Sequence, residues 1–189
     1  MGARKAKLVA DEQTADAAAI DDLTGAWNRA EFVSLAGTTF AAGEQHNVRV
    51  ALAHFEFHFA DGPLIGDTDT ITDALTSMAR QLRAHLGERA VLGRVDTYRL
   101  AALLVDYAED RLPVAEGNYT VIDPAASRAA LVLSVAIVHA ERGMTIHDLM
   151  HQTDLRTSNR KRTGASRSGP RNSSAVPAKP STRRVKSGR

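Results

Sequence analysis

The hydrophobic and polar positions change their period several times along the chain. Apolar residues at helical spacing predict three helices, at residues 28–43, 70–87 and 145–162. Runs rich in β-branched, aromatic and aliphatic residues predict strands, at residues 48–59, 90–95, 98–107 and 128–140, with a further short strand before the last. This order predicts an α+β fold in which helices flank a central, mostly antiparallel sheet.

The first predicted strand alternates strictly towards its end. Its phenylalanines would share one face and its polar residues the other, the two sets being Phe55, Phe57, Phe59 and His54, Glu56, His58. This alternation is typical of a half-buried strand. A metal site made by the two histidines around Glu56 is the less favoured alternative, and the other histidines show no ligand-like spacing.

Composition limits the class of protein. With 43% hydrophobic residues the chain can bury a core, and without cysteine it forms neither disulfides nor thiolate metal sites. No apolar run approaches the roughly 18 residues of a membrane span. The first residues lack the long apolar stretch of a signal peptide. We therefore expect a cytoplasmic protein without a membrane span.

Charge divides the chain into segments. Residues 1–155 carry 13 Lys and Arg against all 22 acidic residues, whereas residues 156–189 carry 11 Lys and Arg and no acid. Composition predicts a flexible leader at residues 1–18, a folded domain at 19–162 and a basic disordered tail at 163–189. The basic end is typical of a solubilising tail, with polyanion binding as the alternative. The candidate contacts are Arg160, Lys161, Arg162, Arg167, Arg171, Arg183, Arg184 and Lys186.

Several stretches resemble one known family. The segment DDLTGAWNRAEF at residues 21–32 resembles the opening D-x-L-T-G-L-x-N-R-R-x-F of GGDEF domains, the diguanylate cyclases of bacterial cyclic-di-GMP signalling. Three later stretches resemble further sequence motifs of that family, namely LTSMARQLRAHL, LVLSVAIVHA and DLMHQTDLRTSNRKRTG. The resemblance covers about residues 19–165 and implies the GGDEF, nucleotide-cyclase-like sandwich.

The family's chemistry depends on residues that this chain replaces. Its members join two GTP molecules, one on each protomer of a dimer, with two Mg²⁺ or Mn²⁺ ions held by carboxylates. The signature falls on residues 96–100, DTYRL. Asp96 and Thr97 replace its two glycines, Tyr98 replaces the metal-binding acid, Arg99 replaces the next acid, and Leu100 keeps the apolar anchor.

Other site positions are also altered. Phe55 stands where the first strand carries a metal-binding aspartate, unless a slip of one residue puts His54 and Glu56 there. The guanine-reading positions fall on Pro63 and Thr72, and the product-binding R-x-x-D falls on Gly87 and Ala90. Of the nucleotide-handling residues only Lys161 matches, and we retain it as a candidate phosphate contact.

These replacements predict a catalytically inactive GGDEF-like domain that needs no metal or cofactor. It would act as a regulatory, protein-interaction module in cyclic-di-GMP-related signalling, with a protein partner and with homodimerisation left open. The alternatives are polyanion or nucleic-acid binding through the tail, a non-catalytic receptor for GTP or cyclic di-GMP, and residual activity through His54 and Glu56. Tyr98 and Arg99 would form a contact surface at the turn, unless Tyr98 packs into the sheet.

Overall fold

The structure, a computed structural model, describes residues 19–60, 68–87, 90–107, 115–122 and 131–165. Helices and strands follow the order predicted from the sequence, and the helix ends lie within three residues of their predicted positions. The elements are α1 Arg29–Gln45, β1 Val50–Phe59, α2 Thr68–Leu86, β2 Ala90–Asp96, β3 Arg99–Val105, β4 Gly117–Ile122, β5 Leu131–His139 and α3 Ile146–Ala165. Among the described residues no helix is long and apolar enough to cross a membrane.

One five-stranded sheet in the order β2-β3-β1-β5-β4 forms the centre of the fold. All four strand pairings are antiparallel, in agreement with the predicted α+β class. The outer edge of β2 is itself paired, because Trp27 donates its backbone N–H to Leu92 O and accepts one from Arg94 N. The strand β4 is the further short strand predicted before the last one, and residues 108–114 and 123–130 on either side of its segment lie outside the described residues.

Helices cover both faces of the sheet. Helix α2 packs on the face that carries Phe55, Phe57 and Phe59, through a stripe of buried residues that includes Leu75 and Leu82. Helices α1 and α3 cover the opposite face, where Phe32 and Leu149 are fully buried. The central strand β1 is therefore buried on both faces.

The predicted half-buried character of β1 is wrong for this reason. The alternation of its side chains is as expected, but the face with His54 and Glu56 lies beneath α3 instead of facing water. His54 is completely buried and Glu56 is 8% exposed. Buried polar side chains need partners, so their contacts determine what this face can do.

The family-like segment at residues 21–32 forms a brace for the β2–β3 hairpin. Asp21 accepts hydrogen bonds from the backbone and hydroxyl of Thr24, and its second oxygen lies 2.8 Å from Arg94 Nη1. Gly25 has a φ of +66°, a conformation that suits glycine. Asn28 caps α1 by accepting a hydrogen bond from Glu31 N, and Arg29 donates to Val95 O on β2. These contacts fix the segment against β2 and the start of α1.

Candidate functional site

A two-residue turn connects β2 to β3 at the position of the family signature. Asp96 pairs with Arg99 across the turn, and Thr97 and Tyr98 occupy its tip. Asp96 and Thr97 are exposed, whereas Tyr98 is partly buried and packs against the core on the α2 side. Of the two alternatives for Tyr98, the structure shows packing against the sheet, and the Arg99 side chain also turns towards the domain.

The remaining matched positions on this side are apolar. Phe55 is fully buried in the core beneath α2, and it lies opposite Leu100 in the β1–β3 pairing. Leu100 is also fully buried, so it keeps the anchoring role expected of it. A phenyl ring offers no oxygen to a metal ion, and here it fills the core.

Arg99 points to the opposite face and holds two carboxylates there. Its Nε and Nη2 donate to Glu56 Oε2 at 3.1 and 2.9 Å, and its Nη1 donates to Asp154 Oδ1 at 2.5 Å. The register dictates the first contact, since Arg99 lies directly across from Glu56 in the β1–β3 pairing. The Arg99 and Glu56 side chains are 13% and 10% exposed. Water screens this pair little, and each charge depends on its partner.

Lys161 completes the group from the last turns of α3. Its ammonium forms an ion pair with Glu56 Oε1, the carboxylate oxygen that Arg99 leaves unused. Two cations and two anions thus meet beneath α3, and we call Arg99, Glu56, Asp154 and Lys161 the charge cluster. The cluster has no net formal charge. Lys161, retained above as a phosphate contact, already has a carboxylate partner.

A row of polar side chains extends the charge cluster across the sheet. Glu56 lies beside Ser134 on β5, and Ser134 lies beside Asn118 on the edge strand β4. Ser134 Oγ donates to Asn118 Oδ1, and Asn118 Nδ2 donates to the backbone oxygen of Arg160 on α3. These contacts fix the C-terminal half of α3 over the sheet.

His54 lies beneath the same helix and is uncharged. Burial, together with the positive charges of Arg99 and Arg29, lowers the pKa of His54 to about 3. Its Nδ1 is 3.4 Å from Asp154 Oδ1, yet neither ring nitrogen forms a hydrogen bond. Burial and the Lys161 charge also lower the pKa of His58. Neutral rings could coordinate a metal ion, but Glu56 between them is bound by two cations.

The magnesium or manganese ions implied by the resemblance do not fit these residues. Such ions require several charged or neutral oxygen ligands. The matched positions offer a buried phenyl ring at Phe55, a core-packed phenol at Tyr98 and a guanidinium at Arg99. Within the described part of the chain, no group of three or more His, Asp or Glu side chains is arranged to hold a metal. The Arg99 guanidinium already occupies the space between the carboxylates of Glu56 and Asp154.

Three of the eight basic residues assigned to polyanion binding lie on α3. Arg160 pairs with Glu116 at 2.8 Å, Lys161 pairs with Glu56, and Arg162 donates to Asn159 Oδ1. The helix also continues to Ala165, beyond residue 162 where the folded domain was expected to end. The other five, Arg167, Arg171, Arg183, Arg184 and Lys186, lie outside the described residues.

The charge cluster is the arrangement that the sequence did not reveal. Glu56 and Arg99 were each noted, but their pairing depends on the register between β1 and β3, and Asp154 lies 55 positions beyond Arg99 in sequence. The charge at position 99 was the one signal in the sequence that could have indicated this pairing. Arg99 reverses the charge of a signature acid, and a buried cation beside β1 requires an anion such as Glu56.

Comparison with known proteins identifies the fold. No protein-family model matches the chain, and no curated protein matches it. The coiled coil and GGDEF domain of DgcB from Caulobacter crescentus, solved in complex with c-di-GMP, is similar with a TM-score of 0.64 and 18% identity. The alignment covers 86% of this chain and 94% of that one.

Two Pseudomonas aeruginosa structures are similar as well. The GGDEF domain of FimX has a TM-score of 0.55 and 19% identity, over 77% of this chain and 94% of that one. The diguanylate cyclase SiaD, solved with its activator SiaC, has a TM-score of 0.58 and 21% identity, over 85% of this chain and 65% of that one. The chain therefore has the GGDEF-domain fold, as its sequence predicted. At this identity the likeness establishes the fold and not the activity.

Proposed function

We propose that this chain is a catalytically inactive GGDEF-fold domain that regulates cyclic-di-GMP-related signalling in the cytoplasm through contacts with a protein partner. The charge cluster is the observation that carries the proposal. Arg99 stands where the signature has an acid, and it binds the two nearest carboxylates, Glu56 and Asp154. With Glu56 bound by Arg99 and Lys161 and Asp154 bound by Arg99, neither of these carboxylates is free to attract a divalent cation.

Binding to another protein does not require the metal site, so a domain with this fold can do it without catalysis. The brace from Asp21 to Arg94 and the cluster around Arg99 keep the hairpin and α3 in a fixed arrangement. A rigid domain surface is suited to recognition. SiaD, which has the same fold, was solved with an activator protein, and this precedent supports a protein partner.

A non-catalytic nucleotide receptor is the less supported alternative. Thr72, which stands at a base-reading position, lies within helix α2. Gly87 and Ala90 replace the arginine and the aspartate of the product-binding motif. Lys161 would have to leave Glu56 to contact a phosphate. Calorimetric titration of the full chain with GTP and with cyclic di-GMP separates this alternative from the proposal. Binding of either nucleotide that Lys161→Ala abolishes would favour the receptor.

Catalytic inactivity is tested by measuring whether the chain converts GTP to cyclic di-GMP. The full chain is incubated with GTP and Mg²⁺ or Mn²⁺, and the products are separated by chromatography, with an active diguanylate cyclase as the positive control. We expect no cyclic di-GMP. Its formation by this chain, abolished by Arg99→Ala together with Glu56→Ala, would contradict the proposal and indicate a different catalytic arrangement.

Polyanion binding by the C-terminal segment is a second candidate function, favoured by one observation. Residues 166–189 contain seven Lys and Arg and no acidic residue. Phosphate contacts of this kind weaken steeply as salt rises. The full chain and a chain ending at Ala165 are compared for retention of DNA and RNA at low and high salt. Equal retention of the two chains would reject this function, and salt-sensitive retention of the full chain alone would support it.

A further inference from the structure

Helix α3 carries a pair of histidines outside the charge cluster. His147 and His151 are four residues apart, both lie within the helix, and both are exposed to solvent. Residues at positions i and i+4 of a helix lie on the same face one turn apart, with Cβ atoms about 5–6 Å from each other. The sequence alone showed no ligand-like spacing in these histidines, but the helix puts both of them on one of its faces.

The chemistry of this pair is that of a metal chelate. Two imidazoles at i and i+4 on one helix face can bind a single ion, as in helical zinc sites. Imidazole nitrogen favours Zn²⁺, Ni²⁺ and Cu²⁺ over Mg²⁺ and Ca²⁺. We propose that His147 and His151 form a two-histidine binding site for a transition-metal ion of the Zn²⁺, Ni²⁺ and Cu²⁺ class.

The surroundings of the pair are compatible with a cation. The start of a helix is positive and by itself disfavours a bound cation. Asp148 lies between the two histidines in sequence, and its carboxylate offsets that field. Its Oδ2 accepts hydrogen bonds from the hydroxyl and the backbone of Thr145, which hold the first turn of α3 in place.

Two ligands leave positions of the metal open. Zinc in structural sites takes four ligands, so water or donors from another molecule would complete the shell here. The site is separate from the charge cluster, whose Asp154 and Lys161 lie further along the helix. Metal binding here would therefore not depend on the inactivity of the signature.

The test measures Ni²⁺ binding to the full chain, free of any affinity tag, by isothermal titration calorimetry. We expect one site in the native protein. His147→Ala and His151→Ala should each weaken its affinity by about tenfold or more, because the two imidazoles act as a chelate. His46→Ala removes an exposed histidine elsewhere and should leave the affinity unchanged.

A spacing control makes the test specific. The double variant His151→Gln with Gln152→His keeps all seven histidines but moves one of them to the i+5 position, away from His147. We expect this variant to bind as weakly as His151→Ala, with unchanged helix content by circular dichroism. Native-like affinity in the spacing control, or no Ni²⁺ binding by the native chain, would overturn the proposal. Equal binding of Mg²⁺ at the same residues would also overturn it.

Discussion

Arg99 Nη1 donates a hydrogen bond of 2.5 Å to Asp154 Oδ1, which joins the β2–β3 hairpin to helix α3. The same guanidinium binds Glu56 on the central strand. A side chain at the place of a signature acid therefore connects three elements of the fold.

Removal of the Arg99 guanidinium should destabilise the domain. Arg99→Ala leaves Asp154 without this partner and leaves Glu56 with Lys161 alone. We expect a loss of about 3 kcal/mol in the free energy of unfolding, as for other buried pairs that lose one member. The measurement is urea denaturation at pH 7. The control is Arg156→Ala, which removes an exposed ion pair to Glu116 and an exposed hydrogen bond to Ile137 O and should cost about 1 kcal/mol or less. Equal losses in the two variants would contradict the role assigned to Arg99.

His54 should make the domain less stable in mild acid. Its pKa is about 3 in the folded protein and 6.5 for an ordinary histidine, so the unfolded chain binds the proton more readily. Stability is then fully present above pH 6.5 and falls as the pH drops towards 3, with a limiting slope of about 1.4 kcal/mol per pH unit for one group. His54→Leu removes this dependence and also removes two unpaired ring nitrogens, so it should not destabilise the protein at pH 7.

The unfolding free energies of native chain and His54→Leu, measured from pH 4 to pH 7, test this. Their difference isolates His54 from other groups that titrate in the same range, such as His58. We expect the variant to gain stability relative to the native chain as the pH falls. Parallel curves would mean that His54 is not buried in the neutral form.

Asp21 should contribute stability at neutral pH that is lost in strong acid. Burial alone would raise its pKa, but hydrogen bonds from Thr24 and Arg94 and the charge of Arg94 outweigh burial and lower it below 3.8. The folded form therefore favours the carboxylate, and its contribution is present above about pH 4 and lost as the pH falls below that value. Asp21→Asn should be less stable than the native chain at pH 7. That difference should shrink between pH 4 and pH 2, and a constant difference would contradict the assignment.

Substitution of Gly93 by any residue with a side chain should destabilise the domain. A Cβ at this position on β2 would lie 2.5 Å from Phe32 Cβ on α1, closer than side chains pack. Gly93→Ala should therefore cost about 1–3 kcal/mol through displacement of α1. Gly37 on α1 provides the control, because its added Cβ would lie 3.7 Å from Ile146 Cγ2 in ordinary contact. Gly37→Ala should stabilise the helix by about 0.5–1 kcal/mol, as measured by thermal or urea unfolding.

The sequence predicted the fold well because the fold depends on local pattern. Helical periodicity located α2 and α3, and Thr145 with Asp148 forms a capping box at the start of α3. The segment from Asp21 to Arg29, which resembles the family's opening, braces the hairpin through contacts to Val95 and Arg94.

The candidate site was harder to predict because it depends on tertiary contacts. The replaced signature residues were visible in the sequence, but the destination of their side chains was not. Tyr98 packs on one face of the sheet and Arg99 on the other, and only the cover provided by α3 makes the polar face of β1 a buried one. Alternation along a strand indicates which residues share a face, and it does not indicate whether that face is covered.

We propose that the internal cations Arg99 and Lys161 stand in place of the metal ions that the signature would hold. The most direct measurement is the amount of cyclic di-GMP formed from GTP by the full chain with Mn²⁺, over long incubation at high protein concentration. We expect no product above the protein-free control. Product that increases with protein concentration would contradict this proposal.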